Sequence, residues 1–235
     1  MAETLKIAII GDFNFTYNSH HATNLAIEHS RKLLDVEVNY YWIRIHEAAN
    51  YKESQFQNFD GIWVAPGPYE NIFFLSGVMD AIISTSVPIF ITGEGFKTLL
   101  EVLVRKYNLN PNQEKLISDN LAPESQFEKI EVKPISEELQ KLYKDTTRLE
   151  LGSARYSIYP QLLNYLKDEL IDIEGINQFE EPEVISLKSH PFCIASMSAP
   201  QICSTREMPH PLISSFVNMS MQWAKQNKKN GKTGS

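Results

Sequence analysis

Residues Pro88 to Leu103 read PIFITGEGFKTLLEVL, an apolar run, a glycine-rich turn and an amphipathic segment in immediate succession. The run from Val87 to Ile91 has the composition of a buried strand. Thr92-Gly93-Glu94-Gly95 follows as a tight turn, and Leu99, Leu100, Leu103 and Val104 then recur at helical spacing. Strand, glycine turn and helix together form the elbow on which many α/β enzymes mount a nucleophile, with a Ser or Cys at the apex and the first helix amides ready to stabilise an oxyanion. Here the apex offers Gly93 or Glu94, and neither carries a thiol or a hydroxyl.

On both sides of the elbow, strand and helix signals alternate along the chain. Lys6–Gly11, Val36–Ile45 and Gly61–Val64 read as strands, and NLAIEHSRKLL and the segment around Met79–Ser84 read as helices. The alternation predicts an α/β fold, a three-layer sandwich with a central, mainly parallel sheet covered on both faces. Residues 107–149 are polar and rich in turn signals, and read as an insertion of loops and short strands. Strand-like text resumes at Arg155–Ile158, followed by a helix through PQLLNYLKDEL, a short acidic segment and a hairpin through EVISLKSHPFCIASMS. The last helix is HPLISSFVNMSMQWAKQ. Residues 1–226 are therefore expected to form one domain, with 227–235 a disordered tail.

Composition removes several classes of function. The 235 residues carry a formal charge of −7, which gives no field to attract nucleic acid or an anionic membrane surface. No apolar run reaches the roughly 20 residues of a membrane span, and the N-terminus lacks a signal-peptide pattern, so a cytoplasmic location is expected. Cys193 and Cys203 match no zinc spacing, and neither a metal nor a cofactor is expected. Adjacent His20 and His21 do not share a helix face and read as solvated or capping residues. His190 and His210 each precede a proline and read as chain-shaping turns.

Five segments, IAIIGDF, FDGIWVAPGPY, VPIFITGEGFKTLLE, ARYSIYPQLL and HPFCIASMSAPQICSTREMPHPLISSFV, occur in an order and spacing that resembles the class I glutamine amidotransferases, above all the glutaminase domain of CTP synthase and stand-alone proteins related to it. The resemblance runs from about Lys6 to Trp223. It implies a Cys-His-Glu triad, whose positions fall here on Gly93, Ala199 and Gln201. Thiol, imidazole and carboxylate are all replaced, so hydrolysis of glutamine through a cysteinyl thioester is not expected.

The resemblance also implies parts of a ligand pocket. APGPYE matches the loop that supplies an oxyanion-hole amide, which Gly67 still offers, and Gly95 closes the elbow. Arg155 matches the arginine that pairs with the glutamine α-carboxylate, a task suited to a bidentate guanidinium. Glu94 is the candidate catalytic group, and the helix dipole is expected to keep its carboxyl acidic. Glu94 is also the expected internal partner of Arg155 should no ligand occupy it. Phe13, Phe15 and Tyr17 are candidates to plug the cleft. Cys203 is a candidate displaced nucleophile with no histidine near it in sequence. The favoured reading is a silent amidotransferase fold that binds a small carboxylate, an amino-acid-like ligand or a protein partner. The alternatives are a rewired hydrolase or lyase centred on Glu94, and a noncatalytic subunit in CTP synthesis.

Overall fold

The structure is a computed structural model that describes residues 4–123, 126–144 and 146–232, with the side chains of 228–232 left aside. A nine-stranded sheet runs through the molecule in the order β2-β1-β3-β4-β9-β8-β7-β5-β6. Its first half comprises β1 (Thr4–Ile10), β2 (Glu37–Ile43), β3 (Gly61–Val64), β4 (Ile89–Thr92) and β9 (Cys193–Ser196), all parallel. Strands β5 (Glu128–Pro134), β6 (Arg148–Gly152), β7 (Ile171–Ile176) and β8 (Pro182–Leu187) extend it in antiparallel fashion.

The strand sequences explain why helices cover both faces. Successive side chains of a strand point to opposite sides. In β1, Ala8 and Ile10 enter one core while Leu5, Ile7 and Ile9 enter the other; in β4, Ile89 and Ile91 oppose Phe90. Both sets are buried, which is why these strands read as continuous apolar runs and not as alternating ones. The short helices α2 (Ile45–Ala48) and α3 (Glu53–Phe56) precede β3. On the first face lie α4 (Ile72–Ile83), α5 (Gly95–Lys106) and α7 (Pro160–Tyr165), the last continuing as a π-helical turn through Leu170. On the second lie α1 (Asn18–Leu34), α6 (Glu137–Tyr143) and α8 (Pro211–Lys232). Among the described residues no helix is long and apolar enough to cross a membrane.

Four expectations from sequence are corrected. The segment 107–149 holds the short strands expected of it, β5 and β6, which extend the main sheet, but it also holds the unexpected helix α6, which forms because the Ser136 side chain accepts from the Leu139 N–H at its start while Leu139 and Tyr143 bury one face. The acidic stretch after α7 is β7, whose Glu174 carboxylate is satisfied by the hydroxyls of Ser136 and Ser186. Arg155–Ile158 is no strand beyond one bridge from Ile117 to Ile158, since the N–H of Tyr156 goes to the Met197 sulfur and that of Ser157 to the Ser118 hydroxyl. Finally, α8 is continuous through Lys232 and so runs into the expected tail. Residues 233–235 of that tail lie outside the described residues.

Candidate functional site

In an open α/β sheet, ligands collect at the carboxyl ends of the parallel strands. Here β3 ends in Pro66-Gly67, β4 in Gly93 and β9 in the segment leading to Ala199. Gly93 has φ +63, the left-handed conformation that marks the apex of the turn, whereas Glu94 has helical angles and begins α5. The apex is therefore Gly93, and Glu94 stands one residue beyond it. A Cβ on Gly93 would point at the β3 loop, 2.9 Å from Pro66 Cβ, and would need both that contact and the positive φ to be tolerated.

The Gly93 N–H donates to the carbonyls of Ser196 at 3.0 Å and Ser198 at 3.3 Å, which ties the end of β9 to the elbow. Gly93, Ala199 and Gln201 are thereby brought into one neighbourhood, with Ala199 and Gln201 buried. The Ala199 N–H is held by the Leu151 carbonyl at 2.7 Å. The Gln201 amide is buried with no hydrogen-bond partner for its oxygen or nitrogen among the described groups.

Glu94 folds its carboxylate back over Gly67. A Cβ on Gly67 would lie 2.7 Å from the Cδ of that carboxylate, so a larger residue there would have to displace the Glu94 side chain from its present place. The Gly67-Pro68 peptide is cis. Burial pushes the Glu94 carboxyl above its ordinary value, against the opposing charge of Lys97. The expectation that the helix dipole would keep it acidic is thus reversed. The side chain makes no capping hydrogen bond to α5, and desolvation exceeds what the Lys97 charge returns.

A cleft of about 650 Å³ opens beside the elbow, lined by Tyr17, Gly67, Glu94, Asn120, Phe127 and Ser153 among others. Arg155 is not part of that lining. Its backbone N–H donates to Asn120 Oδ1 at 2.9 Å, but its guanidinium turns away to Glu128 Oε2 at 3.0 Å and the Leu121 carbonyl at 3.1 Å, and sits 4.6 Å from the Phe179 ring. Gly67, Gly93 and Glu94 cluster as expected; Arg155 does not join them. Its internal partner is Glu128, not Glu94, because β5 brings Glu128 within reach and Glu94 is drawn toward the β3 loop. Gly95 is likewise buried away from the cleft, where a Cβ would stand 2.8 Å from Ile91 Cγ2 and 2.9 Å from the Tyr69 hydroxyl. Of the aromatic candidates for a plug, Phe13 packs on Trp42, Phe15 is exposed and only Tyr17 lines the cleft.

His20 is a buried strut, not a solvated residue. Its Nδ1 accepts from the Asn14 N–H at 3.0 Å, leaving Nε2–H to donate to the Pro66 carbonyl at 3.2 Å, so it braces the loop that carries Gly67.

Beneath Ala199 and Gln201 lies a second polar group of residues that local sequence reading missed. Glu150 of β6 accepts at Oε1 from His210 Nε2 at 2.8 Å and from Arg148 Nε at 3.2 Å, with His210 and Glu150 both almost fully buried. Burial alone would raise the Glu150 carboxyl; the His210 hydrogen bond and the Arg148 charge more than offset it and hold it below its ordinary value. Cys203 borders the same carboxylate. Burial first, then the Glu150 charge, push its thiol up to about 11, so it stays protonated and is a poor nucleophile. His210, sixty residues from Glu150 in sequence, serves that carboxylate and not the thiol. Among the described residues no group of His, Cys, Asp and Glu is arranged to hold a metal ion.

Comparison with known proteins agrees with this architecture. CTP synthase of Bacillus pumilus is 24% identical over 94% of this chain, which covers 46% of that protein. The chain therefore spans about half the length of the curated relatives it matches. The glutaminase domain of Trypanosoma brucei CTP synthase, solved with bound acivicin, superposes with a TM-score of 0.75 at 16% identity, covering 93% of this chain and 94% of that one. The fold is that of a class I glutamine amidotransferase. A putative GMP synthase component from Thermoplasma acidophilum shares this amidotransferase fold at a TM-score of 0.65 and 14% identity, over 97% of this chain and 100% of that one. No family model matches the chain.

Proposed function

We propose that this amidotransferase-fold chain is a cytoplasmic pseudoenzyme that does not hydrolyse glutamine and uses its cleft to bind a small ligand. The observation that carries this reading is the placement of the Glu94 carboxylate over Gly67. An amidotransferase develops negative charge on an oxyanion at this loop, and a carboxylate there opposes it in a partly dry site. Support comes also from Gly93, Ala199 and Gln201 at the positions that a thiol, an imidazole and a carboxylate would occupy. Capture of a ligand carboxylate by Arg155 loses its support, because Glu128 already holds that guanidinium.

The test is ammonia release from glutamine by the purified chain, which is expected to stay at background. Turnover that vanishes in Cys203→Ser would overturn the reading by revealing a relocated nucleophile. Gly93→Cys, which returns a thiol to the apex, is expected to remain inactive. It is also expected to lose roughly 1–3 kcal/mol in urea denaturation, because a side chain must adopt φ +63 and displace Pro66. Glutaminase activity gained by this one substitution would show that Ala199 and Gln201 do not limit the chemistry.

One observation favours a second reading, in which Glu94 is a general acid or base: its carboxyl is raised by burial and makes no side-chain hydrogen bond among the described residues. A hydrolase or lyase of this kind would lose turnover in Glu94→Gln while still binding its substrate.

A further inference from the structure

Among the described residues lining the cleft, Glu94 is the one with a formal charge; Thr16, Tyr17, Asn120, Gln126 and Ser153 contribute hydroxyls and amides, and Phe127 an apolar ring. Two cations beside the site, Arg155 and Lys97, make their side-chain contacts elsewhere. Arg155 is bound by Glu128, and Lys97 lies 3.6 Å from Glu101 and 5.2 Å from the centre of the Tyr156 ring. Neither lines the cleft. The Glu94 carboxylate accepts no hydrogen bond from any described residue, although it is partly withdrawn from water against Gly67.

A carboxylate in this position lacks a donor and a counter-charge in contact with it; Lys97 acts on it only from off the lining, beside Glu101. A ligand ammonium supplies the two together, whereas a carboxylate or phosphate would bring a second negative charge into the same partly desolvated space. The aromatic sides of Tyr17 and Phe127 offer a surface for a short apolar stem, and aromatic faces also attract cations. From this geometry we infer that the cleft selects a small primary amine, its ammonium on Glu94 and its stem between Tyr17 and Phe127, and excludes small anions. The inference rests on the binding role proposed above and names its ligand class. It also separates the site from one built for glutamine, whose α-carboxylate would find no cation on the lining.

Calorimetric titration of the full chain at pH 7.5 with n-butylamine, butyrate and butyramide tests this. The comparison includes Glu94→Gln and Ser153→Trp, the latter an exposed lining position where an indole would fill the cleft; circular dichroism confirms that each variant is folded. Saturable binding of n-butylamine is expected in the wild type, at least tenfold weaker in Glu94→Gln and abolished in Ser153→Trp, with no heat from butyrate. Butyrate or butyramide binding as tightly as n-butylamine, and lost in Ser153→Trp, would overturn amine selection while leaving the cleft a binding site. Undiminished n-butylamine binding by Glu94→Gln would overturn the assignment of Glu94. Absence of binding by all three probes to the folded wild type would overturn the amine inference and the binding role together.

Discussion

His210→Ala is expected to destabilise the protein by about 3–5 kcal/mol at neutral pH, a drop in melting temperature on the order of 10 °C, because it strands a buried carboxylate. Glu150 and His210 are 1% and 0% exposed, and the hydrogen bond between them is 2.8 Å long. Removing the imidazole leaves Glu150 with Arg148 alone, and its Oε2 already has no partner. The pH dependence follows from the direction of the shift. The Glu150 carboxyl lies below its ordinary 4.5, so the stability it contributes is present above that pH and is lost as the pH falls through the lower folded value. The penalty of His210→Ala should therefore shrink in acid, where the stranded group becomes neutral. His210→Gln, which can return an N–H to Oε1, should recover part of the loss. Chemical denaturation at pH 7 and pH 4 measures both effects, and a loss below about 1 kcal/mol at pH 7 would contradict the buried pair.

Glu183→Gln is expected to act with the opposite pH dependence. Glu183 lies on β8, wholly buried, with a 3.4 Å hydrogen bond from Asn177 Nδ2 to Oε2 and no partner for Oε1. Burial, aided by the Glu150 charge and resisted by hydrogen bonds from Asn177 and Ser198, pushes its carboxyl from 4.5 up to about 7. A carboxyl raised in this way is bound to its proton more tightly in the folded than in the unfolded state. The protein consequently loses stability as the pH rises from 4.5 through 7, by roughly 3 kcal/mol at 1.36 kcal/mol per pH unit. Glutamine cannot ionise, so the stability of Glu183→Gln relative to wild type should climb by that amount between pH 4.5 and pH 8. Taking the difference between the two proteins cancels other titrations, among them those of His20, His29 and His190, which burial lowers. A difference that stays flat across this range would show that Glu183 ionises freely in the folded protein.

These two carboxylates also show what kind of information a sequence withholds. Both sit in the interior behind Ala199 and Gln201. Each looks like an ordinary surface residue of a strand edge when only its neighbours in sequence are considered. Cys203 illustrates the same point from the other side. Its nearest histidine in sequence, His210, is turned by the fold to the carboxylate that Cys203 borders, and burial together with that carboxylate keeps the thiol protonated.

The parallel half of the sheet and the elbow were legible in the order of residues alone. Continuous apolar runs at β1, β3 and β4 required burial on both faces, and a glycine between strand and helix required a left-handed turn, which Gly93 adopts. Such features are local: steric limits on φ and the alternation of side chains across a strand act over a few residues, so a short stretch of text contains them. That Gly93, Ala199 and Gln201 carry no thiol, imidazole or carboxylate is equally legible in the residues; that they hold the positions of a triad belongs to the function proposed above. The direction of each polar side chain, by contrast, was settled by packing across the fold. Arg155 meets Glu128 across 27 residues, His210 meets Glu150 across 60, and Glu94 turns from its own helix to lie on Gly67. Charged groups of this kind have several partners open to them along the chain, and the choice depends on which one the packed strands carry within about 3 Å and how much water the packing removes.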